Sequence, residues 1–283
     1  MDPTRDLAGW PHADRSRIDP VRPHRWHVQD MGTGSVILLL HGAGASTHSW
    51  RDVMPALAER YRVIAVDLPG HGFTRLGSRH RSSLDHISQD LFALLDAEDL
   101  NPRAIVGHSA GAAVALRLTG MLDETPDIVG INPALEPFSG LAGTLFPMAA
   151  KAIATLPFAM DLVRMTLVAP DRAERLLAGT GSQIDAEGVA LYARLLRDRD
   201  HVEGALLMMS HWSLDRLLAD LPNIQARTLF LTGANDRTVP PRVADDAAAK
   251  MPNARVETWS GLGHLLHEEA PERTVLHLRE WLG

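Results

Sequence analysis

The chain has 283 residues, 45% of them hydrophobic and 22% charged, with a formal net charge of −7 and no cysteine. That length suits one α/β domain carrying an insertion, and the negative balance excludes a general nucleic-acid binder, which needs a basic face to neutralise phosphates. Without cysteine there are no disulfides, thiolate metal sites or cysteine nucleophiles, a composition that fits a reducing compartment.

The first 30 residues hold five Arg and five Asp with no apolar run, so no secretory signal is expected. Within 11–35, the stretch 24–29 followed by "DMGTGS" predicts an antiparallel hairpin leading into the first parallel strand. Short, apolar, β-branched runs then predict strands at 36–40 (VILLL), 62–66 (RVIAV), 104–107 (AIVG), 127–131 (DIVGI), 228–232 (TLFLT) and 256–259 (VETW). Apolar runs without alternation point to strands buried on both faces of a parallel sheet. Amphipathic helices are predicted at 50–59, 84–95, 111–121, 243–251 and 271–282, with Ser82 or Ser83 capping the second.

Residues 133–218 have helical patterning and no strand, and open on the breaker-rich "NPALEPFSG". The expected fold is therefore α/β: a doubly wound, mostly parallel sheet with an inserted helical cap. The expected division is a core of 1–132 and 219–283 with a cap of 133–218. The longest weakly charged stretch, 138–160, contains Lys151 and is interrupted by Pro147 and Pro157. A bilayer span needs ~20 continuous apolar residues. No transmembrane segment is expected and the expected location is the cytoplasm; peripheral membrane contact stays open.

The chemistry collects at strand ends. Gly107-His108-Ser109-Ala110-Gly111 lies between a predicted strand and a predicted helix. A nucleophile on such a sharp turn needs small residues on either side, and the helix N-terminus behind it offers free N–H groups. The pentapeptide alone arises by chance in about one chain in ten of this size, and a glycine-lined turn with a surface serine is its plain alternative. Asp236 in "TLFLTGANDRTVP" and His264 in "VETWSGLGHLLHEE" each follow a later strand, in the order an orienting carboxylate and a base should have. Singly they also read as a turn cap and a loop histidine; together with Ser109 they read as a triad. The oxyanion donors would be the N–H groups of Ala110 and of Ala43, in the turn "LLLHGAGAS".

These motifs resemble the α/β-hydrolase superfamily over nearly the whole chain: "HGAG" at 41–44, "DLPGHG" at 67–72, "GHSAG" at 107–111, "GANDRTVP" at 233–240 and "GLGHLLHEE" at 261–269. The resemblance implies Ser109 as nucleophile, His264 as general base and acid, and Asp236 as its orienter. Segments outside the triad, among them "GWPHADRSR", "WHVQDMG", "GINPALEPFSG" and "HVEGALLMMSHW", look like the magnesium-chelatase-associated accessory proteins of bacteriochlorophyll synthesis (BchO). That closer resemblance implies a role at the step inserting Mg²⁺ into protoporphyrin, with magnesium chelatase subunits as partners.

The cap would close over Ser109. Pocket candidates are His41, His108, Phe138, Leu145, Met208, Met209 and Trp212, suited to a small apolar or tetrapyrrole-type ligand; the plain alternative is that the apolar ones pack cap against core. Arg164, Arg172 or Arg175 could meet a propionate, although solvated surface charge is the better explanation of them. Fourteen histidines supply no convergent ligand set and no H-E-x-x-H, so no metal is expected. Gly42-Ala43-Gly44 imitates a dinucleotide fingerprint, but Thr47 stands where its third glycine belongs, and no cofactor is expected. Two functions remain: a serine hydrolase acting on an ester, and a non-catalytic porphyrin- or chelatase-binding accessory that retains the triad. Perhydrolase or lyase chemistry on the same triad is not separated by sequence.

Overall fold

The computed structural model describes residues 1–137 and 171–283. Eight strands form one sheet: β1 (Ser16–Asp19), β2 (Trp26–Met31), β3 (Val36–Leu40), β4 (Arg62–Val66), β5 (Pro102–His108), β6 (Asp127–Ile131), β7 (Thr228–Gly233) and β8 (Ala254–Trp259). Their spatial order is β1-β2-β4-β3-β5-β6-β7-β8. Strands β3 to β8 run parallel, while β1 and β2 are antiparallel additions at one edge.

Burial explains the unbroken apolar runs. Leu38, Leu40, Ile64, Val66, Ile105 and Phe230 face one layer, with the helices α3 (Leu84–Ala97), α4 (Ala110–Leu118) and α9 (Arg242–Ala248) packed on it. Ile37, Leu39, Val63, Ala65, Val106 and Leu229 face the other, against α2 (Val53–Leu57) and α11 (Pro271–Leu282). Alternate side chains of each strand thus enter two separate cores, which only a sheet covered on both faces allows. Ser83 caps α3, its hydroxyl accepting the His86 N–H.

The expected antiparallel hairpin lies within 11–35, formed by β1 and β2, but "DMGTGS" is the link onward to β3 and not its turn. Strand β2 pairs with β1 and β4, and β3 lies beyond β4. Asp30 and Met31 of "DMGTGS" still pair with β4 as the end of β2, and residues 32–35 carry the chain past the end of β4 to β3. A β-carbon added at Gly32 would lie 2.2 Å from the Tyr61 carbonyl oxygen, so the glycine there serves a close backbone approach.

Between β6 and β7 the described residues contain helices and no strand: α5 (Arg172–Gly179), α6 (Ala186–Arg197), α7 (Arg199–Ser210) and α8 (Asp215–Asp220). Helices α6 and α7 are each capped by an aspartate, Asp185 and Asp198, whose side chain accepts an N–H of the first turn. Two shorter helices, α1 (Pro3–Asp6) and α10 (Leu266–Glu269), complete the described set. None of the helices searched is long and apolar enough to cross a membrane.

Candidate active site

Ser109 stands at the end of β5 with φ 52° and ψ −115°, a conformation an L-residue adopts at a cost of about 1–3 kcal/mol. The surroundings hold it there: its N–H donates to the Ile131 carbonyl at 2.9 Å, and its carbonyl accepts the N–H groups of Ala112 and Ala134. Both flanking glycines are sterically required. A β-carbon at Gly107 would lie 2.4 Å from the Gly111 carbonyl oxygen, and one at Gly111 would lie 2.3 Å from that of Leu40. The pentapeptide is thus a backbone crossing that pushes the serine out over the sheet.

His264 follows β8, and its Nδ1–H donates to Asp236 Oδ2 at 2.7 Å. Asp236 follows β7, and its other oxygen accepts the N–H groups of Thr238 at 2.7 Å and Val239 at 2.9 Å. The carboxylate is thereby fixed from one side by backbone and presents its second oxygen to the imidazole. That hydrogen bond places the proton on Nδ1 and leaves Nε2 free as a base. Ser109 and His264 line the same pocket. No hydrogen bond joins their side chains in this conformation, an arrangement common where substrate completes the contact.

Two side chains hold the carbonyls of the histidine loop. Asn132, just past β6, donates through Nδ2 to the carbonyls of Gly263 (3.1 Å) and His264 (2.7 Å), and its Oδ1 accepts the Gly233 N–H. His108 is buried, and its Nε2–H donates to the His264 carbonyl at 2.9 Å. Burial, then the neighbouring His267 and His264, push the His108 pKa well below the ordinary value, so its ring is neutral. Asn132 was not among the sequence candidates; its signal is an asparagine directly after a buried strand, followed by a proline.

Ala43 and Ala110 both line the pocket. The Ala110 N–H is the first of α4 and has no helical partner. The Ala43 turn is closed by the Ala45 N–H on the Gly42 carbonyl at 3.1 Å. His41, a pocket candidate by sequence, lies instead beneath this turn. It is fully buried and does not line the pocket: Nδ1–H donates to the Gly42 carbonyl at 2.7 Å and Nε2 accepts the Leu68 N–H at 2.9 Å. Because the peptide unit is planar and trans, holding the Gly42 oxygen on the core side aims the Ala43 N–H the opposite way.

The pocket has a volume of about 500 Å³. Met208, Met209 and Trp212 line it together with His108, Leu177 and Tyr192. Phe138, Leu145 and Arg164 lie outside the described residues. Arg172 and Arg175 are not in the lining; Arg237 and Arg242 are, the latter paired with Glu136 at 2.9 Å. Among the described residues no three His, Asp or Glu side chains are grouped to hold a metal ion.

Comparison with known proteins agrees with this architecture. A family model described as "Alpha/beta hydrolase family" matches residues 37–276. The chain is 44% identical to the "Magnesium-chelatase 30 kDa subunit" of Rhodobacter capsulatus, over 100% of this chain and 99% of that protein. It is 30% identical to a 2-hydroxy-6-oxononadienedioate/2-hydroxy-6-oxononatrienedioate hydrolase of Cupriavidus pinatubonensis, over 89% of each. Among solved structures, a lipase-like protein of Acinetobacter baumannii superposes with a TM-score of 0.80 at 20% identity, covering 100% of this chain and 96% of that one. An esterase from Thermogutta terrifontis gives 0.73 at 20% identity, over 94% and 97%. At those identities the structural matches speak for the fold alone.

Proposed function

The chain belongs to the alpha/beta hydrolase family, and we propose that it is an esterase-like serine hydrolase working through an acyl-enzyme. The observation carrying this reading is the His264–Asp236 hydrogen bond of 2.7 Å on the pocket that Ser109 also lines. Ser109 Oγ attacks the ester carbonyl while His264 Nε2 takes its proton, and Asp236 stabilises the imidazolium. The N–H groups of Ala43 and Ala110 receive the oxyanion. His264 then passes the proton to the departing alkoxide, and a water deprotonated by the same nitrogen releases the acid. The inserted helices act as a cap: Met208, Met209 and Trp212 give the pocket a flexible, bulky apolar wall suited to an apolar or tetrapyrrole-linked ester. A fluorophosphonate probe tests the chemistry. An adduct on Ser109 in the folded protein, absent in Ser109→Ala, is expected; no adduct overturns the reading.

A second reading draws on the 44% identical relative and its printed name. In it the protein serves magnesium chelatase during bacteriochlorophyll synthesis, binding porphyrin or chelatase subunits without using Ser109 chemically. Ser109→Ala introduced into a strain lacking the gene separates the two. Full restoration of pigment favours the accessory role, and loss of pigment with a normally folded variant favours catalysis.

A further inference from the structure

Helix α7 reaches the oxyanion turn through one side chain. His201 is buried; its Nε2–H donates to the Gly44 carbonyl at 3.2 Å and its Nδ1 accepts the Gly72 N–H at 3.0 Å. Both roles need a neutral ring carrying its proton on Nε2. Burial, then the His71 ring edge-on at 5.3 Å, hold the His201 pKa well below the ordinary value. His71 in turn lies 5.2 Å from His41, which holds the Gly42 carbonyl. The two carbonyls bracketing the turn are therefore each held by a histidine, Gly42 by His41 in the core and Gly44 by His201 on an inserted helix.

The backbone makes the same junction tight. A β-carbon at Gly204, one turn along α7 from His201, would lie 2.1 Å from the Gly70 carbonyl oxygen. The helix can approach that loop only because glycine stands there. Two turns beyond His201, Met208 lines the pocket, and Met209 follows it.

We propose that His201 is a positioning residue that sets the apolar wall of α7 in register with the N–H donors of the oxyanion turn. The assignment rests on the serine-hydrolase reading above. Its alternative is a tertiary hydrogen bond that stabilises the fold and leaves the turn unaffected. Two half-replacements separate these. His201→Asn keeps an acceptor near Nδ1 for the Gly72 N–H and loses the donor to Gly44. His201→Gln keeps a donor near Nε2.

Each variant is assayed for p-nitrophenyl ester hydrolysis and for hydrogen exchange of amides 43–46, with a thermal melt to check folding. For His201→Asn, kcat should fall about tenfold with KM nearly unchanged, since a small misplacement of oxyanion donors acts on the transition state. Exchange in the turn should rise by a similar factor. His201→Gln should recover both to within about threefold of the parent. Unchanged exchange and kcat in His201→Asn, or equal losses in Asn and Gln, overturn the proposal. A parent protein that neither hydrolyses these esters nor takes the fluorophosphonate overturns the hydrolase reading instead, and the exchange comparison then decides the register of the turn.

Discussion

Asn132 and His264 are joined across the sheet: the Asn132 amide donates to the His264 carbonyl at 2.7 Å while accepting the Gly233 N–H at 2.8 Å. One side chain at the end of β6 thereby ties the loop bearing His264 to the strand that leads to Asp236. Its positive φ of 44° suits asparagine better than most residues. Asn132→Asp keeps the shape but turns an oxygen toward the two carbonyls it now serves. Stability should drop by about 1–3 kcal/mol, the cost of unsatisfied buried groups, and ester kcat should fall with it. Urea unfolding and steady-state hydrolysis measure both.

Asp236 meets three N–H donors at 2.7–2.9 Å, one from the His264 ring and two from backbone. Asp236→Asn must point its amide nitrogen at one of these donor sets. If the nitrogen faces the ring, the imidazole takes the other tautomer and loses Nε2 as a base. The expected loss in kcat is about 10³–10⁴-fold with the fold retained. Steady-state kinetics beside a circular dichroism spectrum checks it.

Much of this scaffold was legible in the sequence, for a physical reason. Strands 36–40, 62–66 and 127–131 coincide with the predicted runs because a strand buried on both faces must be apolar throughout. The C-terminal helix 271–282 also coincides, beginning at a proline that the first turn tolerates. The predicted helix 50–59 splits into a 3₁₀ turn, Thr47–Trp50, and the short Val53–Leu57, with Pro55 inside the latter. The parts that could not be read depend on distant partners. His201 and Gly44 are 157 residues apart, and Asn132 and His264 are 132 apart. His41 reads from sequence as a pocket residue, whereas its place under the turn depends on Leu68, just past a neighbouring strand end.

Two glycines, one in the turn around Ser109 and one beyond α4, give a paired test of that turn. Gly111→Ala puts a methyl carbon 2.3 Å from the Leu40 carbonyl oxygen and 2.7 Å from that of His41, both fixed by the sheet. Gly120→Ala, just beyond α4, meets nothing within 4 Å. Gly111→Ala should cost about 2 kcal/mol or more through overpacking. Gly120→Ala should lie within about 1 kcal/mol of the parent, aided by a stiffer unfolded chain. Thermal melts of the two variants side by side decide it.

Acid should weaken the fold earlier than carboxylate titration alone would. Burial, with His41 beside the first and His264 beside the second, pushes His71 and His267 down to about 3. In the unfolded chain they titrate near 6.5. The folded pKa lies below the unfolded one, so this stabilisation is fully present above about pH 6.5 and is lost as pH falls toward 3. Each such group removes about 1.4 kcal/mol per pH unit in that window, or about 2 kcal/mol at pH 5. His71→Asn should be less stable at pH 8, yet show a shallower fall in urea midpoint between pH 6.5 and 5. An unchanged slope would count against a neutral buried His71.

Glu268 offers the strongest test of how the inserted helices are fastened. Its side chain is fully buried, accepting from Ser49 Oγ at 2.6 Å, Arg51 at 2.7 Å and the Tyr192 hydroxyl at 2.8 Å. Burial raises its pKa, and Arg51 is the buried cation that compensates its charge. Tyr192 belongs to α6 and lines the pocket, so the carboxylate fastens the pocket wall to the core. Removing one partner of a buried ion pair costs about 3–5 kcal/mol because the other charge stays desolvated. Arg51→Met should therefore be strongly destabilising. Tyr192→Phe, which leaves the pair intact, should cost only about 1–2 kcal/mol. Adding Glu268→Gln to Arg51→Met should restore part of the loss, since no uncompensated charge remains inside. Urea unfolding of these three variants, with Glu268→Gln alone to close the double-mutant cycle, gives the coupling. A double variant no better than Arg51→Met alone would mean that shape, rather than charge, holds this junction.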